Sequence, residues 1–141
     1  MFRRIFAAGA LIVAAAGLAG CGGNSVTRLT AGDCFTADAI GEGGEVSDVS
    51  TVSCTAPHEY EVVAVHTHED EAWPGAAAIE VAAYEACVAE FEEYVDSQYA
   101  TSSIFMVPMT PTESGWGQGD RDSLCLAESD TRSSSVQGSG E

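Results

Sequence analysis

The chain has 141 residues, of which 22 are Asp or Glu and five are Lys or Arg, for a formal charge of −17. A surface this acidic repels a phosphate backbone, which excludes nucleic acid as a partner, and it disfavours close contact with anionic lipid. Its general consequence is solubility.

Residues 1–20 read as an export signal. Arg3 and Arg4 form a charged start, and residues 5–20 carry no charge and are rich in Ala, Leu, Ile and Val. That run is shorter than the roughly 20 residues a helix needs to span hydrocarbon. A charged start, a short apolar core and small residues at its end make a signal peptide. The run closes on Leu18-Ala19-Gly20-Cys21, which resembles the bacterial lipobox and implies a lipidated Cys21 after cleavage. Acyl chains at about 0.8 kcal/mol per buried CH₂ then hold the protein at the outer face of the cell membrane. Residues 21–28 are expected to form the lipidated Cys and a flexible tether. Loss of Arg3 and Arg4 takes the charge from −17 to −19.

Residues 29–128 are expected to form one domain of ordinary size. Thr30-Ala31-Gly32-Asp33-Cys34-Phe35 opens it with a Gly turn into a short strand. Residues 41–45 read as a polar loop, and Val46, Val49 and Val52 lead through a second strand to Cys54. Pro57 ends that strand. Residues 60–66 form the clearest strand, with Val62-Val63-Ala64-Val65 as a buried run. Pro74 suits the first turn of a helix, expected over residues 76–97. At helical period Ile79, Ala83, Tyr84, Cys87, Phe91, Tyr94 and Val95 share one half of the wheel, and Glu85, Glu92, Glu93 and Asp96 the other. Strands are expected at residues 103–109 and 122–127, with a Gly-rich turn around Trp116 between them. Residues 129–141 are Ser- and Gly-rich with Val136 as the only strongly apolar residue, and are expected to form a disordered tail. The predicted fold class is α+β, a small antiparallel sheet packed against one main amphipathic helix.

With Cys21 acylated, Cys34, Cys54, Cys87 and Cys125 remain. An even count in a small exported domain reads as a disulfide framework. Four Cys allow three connectivities. Cys34–Cys54 with Cys87–Cys125 is preferred, because the first pair lies in one N-terminal β region and the second ties the helix to the last strand. No CxxC pair exists, which argues against zinc, and no cofactor is expected.

The residues Gly32-Asp33-Cys34-Phe35, Val52-x-Cys54-x-x-Pro57-His58-x-x-Glu61-Val62, Trp73-Pro74-Gly75, helical Cys87, Pro111 and Trp116-x-x-Gly119-Asp120-Arg121-x-x-x-Cys125 occur in this order. Together they resemble the septum formation domain family, found in exported and membrane proteins of actinobacteria. The resemblance runs from Gly32 to about Leu126. It implies a role in cell division with an envelope or division partner, and it carries no catalytic residues. Many relatives set the domain beside a transmembrane helix, whereas this chain ends its signal on a lipobox.

Several motif residues have two readings. His58 and Glu61 could form an acid–base pair of a wall-acting enzyme, or His58 could bond backbone in a turn. His66 and His68, with Glu69 or Asp70, could hold a divalent metal weakly, or lie exposed in an acidic loop. Arg121 could grip a carboxylate ligand, or pair with Asp33 or another domain acid. Trp73 and Trp116 could offer stacking surfaces, or fill a small core. There is no Gly-x-Ser-x-Gly elbow and no phosphate loop, and pairing four Cys leaves no thiol for catalysis. The expectation is therefore a non-catalytic, lipid-anchored binding module.

Overall fold

The computed structural model describes residues 24–40, 46 and 48–141. The expected signal peptide, Cys21 and the expected loop at residues 41–45 lie outside the described residues.

Strand β1 (Asn24–Ser25) pairs antiparallel with β3 (Asp48–Val49). The main sheet contains β2 (Cys34–Phe35), β4 (Thr51–Val52), β5 (His58–Thr67), β6 (Phe105–Met109) and β7 (Asp122–Arg132). Its order is β4-β2-β5-β7-β6, antiparallel throughout. Helix α1 (Ala76–Val95) packs on one face, and the short α2 (Glu113–Gly117) links β6 to β7. This is the expected α+β class.

Val62, Val63 and Ala64 of the expected buried run in β5 are covered on both faces of the sheet, whereas Val65, expected to be buried with them, is 38 % exposed. A register shift between Val62 and Ala64 divides the run. Val62 joins Phe35, Leu124 and Leu126 under the N-terminal segment. Val63 and Ala64 join Cys87, Phe91, Met106 and Cys125 under the helix. Helix α1 buries Ile79, Ala83, Cys87, Phe91 and Val95, one residue per turn at steps of four. Tyr84, expected on the buried half, is 48 % exposed; the covered stripe is narrower than half the wheel.

Both disulfides form as preferred. Cys34–Cys54 closes a separation of 20 residues and Cys87–Cys125 one of 38. In the chain-entropy model these closures contribute about 3 and about 4 kcal/mol. Pro108 sits in β6, the open edge of the sheet, where a missing N–H costs no ladder bond and discourages a foreign strand.

Three expectations are corrected. The C-terminal residues are part of the fold. Strand β7 runs on to Arg132, and Val136 is 1 % exposed in the helix-side core. Gly138 N–H donates to Tyr94 O and Gly140 N–H to Val95 O. They occupy carbonyls that the end of a helix leaves without intrahelical donors. Arg132 pairs with Glu141 at 2.7 Å. Residues 24–28, expected to be flexible, form β1 and a 3-10 turn, and Val26 packs against the core around Val62, Phe35 and Leu126. Finally, the Gly-rich turn contains α2, whose Thr112 hydroxyl caps it by accepting from Gly115 N–H at 3.0 Å.

Candidate functional site

The motif Trp116-x-x-Gly119-Asp120-Arg121 folds into a knot at one end of the β5–β7 pair. Arg121 lies with its guanidinium carbon 4.1 Å from the Trp116 ring centroid. Its Nη1 donates to Trp116 O at 2.7 Å and Asp120 O at 3.0 Å, and its Nη2 to Glu71 O at 3.2 Å. Trp116 Nε1 donates to the same Glu71 carbonyl at 3.3 Å. The knot thus pins the loop after β5 to α2.

Arg121 does not pair with Asp33. The Asp33 carboxylate accepts from Thr30 N–H and the Thr30 hydroxyl, and its backbone meets β5 at Val62. Arg121 stands next to Asp122, which pairs with Thr67, some five residues or about 17 Å further along β5.

Trp73 stacks edge-on to Trp116 at 5.4 Å, and His68 lies 5.9 Å from it. His68 is buried and bonds Ser123 Oγ through Nε2 at 2.8 Å, so it does not lie exposed in the acidic loop. Burial, then the nearby His66, holds its imidazole below the usual range. The His66 and His68 rings meet edge to face at 4.8 Å.

His58 and Glu61 do not form an acid–base pair. His58 is fully buried. A carbonyl only accepts, so Nδ1 carries the proton in its 2.8 Å bond to Ala56 O, and Nε2 has no partner. Glu61 is 1 % exposed. Its Oε1 accepts from the Tyr94 hydroxyl at 2.8 Å and the Ser135 hydroxyl at 2.6 Å, and its Oε2 from Val136 N–H at 2.7 Å. It is the clasp that holds the C-terminal segment to the sheet. Burial, with the Glu61 bond and charge added, pushes the Tyr94 hydroxyl up to about 12. Cys34, Cys54 and Glu61 bring ligand atoms within 4.8 Å of one another, but the two sulfurs are bonded to each other and are not thiolates, the form that ligates a metal.

A groove opens beside the knot. One compartment, of about 140 Å³, is lined by Val26, Met109, Pro111 and Leu124 among others. It shares Val26, Thr27, Val46, Asp120 and Asp122 with a wider one of about 840 Å³, which reaches Arg121. Asp120 Oδ1 accepts from Asp122 N–H, and Asp122 Oδ1 from the Thr67 hydroxyl at 2.6 Å. The floor is apolar and the rim holds Thr and Asp. Of the residues singled out in the sequence, Pro111, Gly119, Asp120 and Arg121 line the groove, while Asp33, His58, Glu61, Trp73 and Trp116 do not. Val26, Thr27 and Met109 gave no signal as a wall, because the wall exists only where the N-terminal segment meets the ends of β6 and β7.

Fold and site together define a small α+β module, stapled by two disulfides, whose motif residues brace a groove and bury its one acid–histidine candidate pair. The chain belongs to the septum formation family: the family model, described as "Septum formation", matches residues 31–141. The match includes the C-terminal segment that packs onto Glu61. Neither the curated proteins nor the solved structures compared with the chain contain a match.

Proposed function

We propose that the chain is a non-catalytic binding module of septum formation, held at the outer face of the cell membrane by acyl chains on Cys21, which receives an envelope or division partner in the groove beside Arg121. The observation that carries this is the use made of the motif residues. Trp116 and Arg121 brace the groove wall and set Asp120 on its rim. His58 and Glu61 are buried and engaged elsewhere.

The anchor and the groove are close in this reading. Only residues 22 and 23 separate Cys21 from β1, whose Ser25 lines the groove. At no more than about 3.5 Å per residue, Cys21 lies within about 11 Å of Asn24. The groove then faces the near-membrane layer, where a partner inserted in the same membrane is presented. Thr27 is exposed and lines both compartments. Thr27→Trp fills the groove without touching the core. In a deletion strain, this variant should fail to restore normal septa while the parent restores them. Full restoration by a folded, exported Thr27→Trp protein overturns the groove as the binding site.

A further inference from the structure

Helix α1 has a second apolar face that stands exposed among the described residues. Its buried stripe is Ile79, Ala83, Cys87, Phe91 and Val95. Beside it, Val81 is 60 % exposed and Tyr84 48 % exposed. Ala77, Val81, Tyr84 and Val88 follow one another at steps of four, three and four residues, the a/d repeat by which one helix lies along another. Val88 is half-buried against the helix-side core, so the outer stripe continues the packed interior onto the surface. Helix α1 carries five Glu and no Lys or Arg. At about 100° per residue, Glu80 falls on one margin of the stripe and Glu85 and Glu92 on the other.

We infer that this stripe docks an amphipathic helix of a partner protein, with apolar residues at heptad spacing and Lys or Arg at the flanking positions. Charge decides between the occupants. A second copy of the chain sets glutamate against glutamate along both margins, the pattern by which paired helices reject a partner. A membrane surface selects helices with a basic polar face, and this one is acidic. A basic helix covers the apolar stripe and places a cation opposite each row of glutamates. The inference stands apart from the groove, whose lining includes no residue of α1, so either can fail alone.

The test titrates the intact protein at about 0.15 M ionic strength with two synthetic helices of about three heptads. Both carry Leu at a and d; one carries Lys at e and g, the other Glu. The Lys helix should bind and gain helicity, and the Glu helix should not bind. The double variant Val81→Gln/Tyr84→Gln changes only exposed side chains, and its melting temperature reports whether it stays folded. It should weaken the Lys helix by about tenfold or more. Three results overturn the inference. The Lys helix fails to bind; it binds parent and double variant equally, which is bare charge attraction; or sedimentation shows a parent dimer that the double variant dissociates, which makes the occupant a second copy.

Discussion

Replacing Glu61 with Gln tests the clasp that brings the C-terminal segment into the fold. The carboxylate accepts three hydrogen bonds, two on Oε1 and one on Oε2. An amide has one accepting oxygen. With its oxygen on Val136 N–H, Gln directs its NH₂ at the two hydroxyls, which must then accept where they had donated; turned the other way, the NH₂ meets Val136 N–H, donor against donor. A hydrogen bond to a charged group is worth about 1.5–3 kcal/mol and a neutral one about 0.5–1.5 kcal/mol. Exchanging charged bonds for neutral ones should cost about 2 kcal/mol in all. For a domain of this size about 1 kcal/mol shifts the melting temperature by about 4 °C, so Glu61→Gln should melt about 8 °C below the parent. Calorimetry at neutral pH, with both disulfides intact, gives the number. Ser135→Ala removes one donor and leaves the carboxylate two, and should cost about 1 kcal/mol. Hydrogen exchange at the Val136 amide should lose protection in Glu61→Gln first. Melting within about 2 °C of the parent refutes the clasp.

Cys21→Ser should leave the precursor uncleaved at this site or release the protein from the membrane fraction; fractionation and migration like the parent removes the anchor. Replacing Cys87 and Cys125 together by Ala should destabilise by about 4 kcal/mol in the chain-entropy model, read by denaturant unfolding; a loss below about 1 kcal/mol would show that the bridge constrains little. The Tyr94 hydroxyl, about 10 when unfolded, is pushed up to about 12 in the fold. Its contribution is therefore fully present below about pH 10 and is lost as pH rises toward about 12. Tyr94→Phe should flatten that part of the stability curve, although Tyr60, also raised by burial, keeps some slope; an unchanged slope contradicts the placement of Tyr94.

Much of the fold is legible because period and punctuation agree. The Val62–Ala64 run, the step-of-four pattern from Ile79 to Val95, and a buried Cys on each of β2, α1 and β7 point to the same packing. Residues 129–141 are illegible for a physical reason. A single valine among Ser and Gly carries no period, and what orders it is Glu61, 75 positions away. Arg121 shows the same limit. Local sequence offers it Asp120 and, at a distance, Asp33, yet the fold gives it carbonyls and an indole ring. Composition identifies a cation in a turn; only the meeting of α2 with the loop at Glu71 decides what it holds. The groove is harder still, since its walls come from the N-terminal segment, the end of β6 and the start of β7.

The most direct measurement is the position of a functional fluorescent fusion of the full chain in dividing cells, compared with His58→Gln and Thr27→Trp fusions shown to be folded and exported. The parent and His58→Gln should both concentrate at septa, and Thr27→Trp should spread around the envelope. Uniform signal for the parent, with normal septa in the deletion strain, would contradict a binding role in division; loss of function in folded His58→Gln alone would point to chemistry at His58 instead.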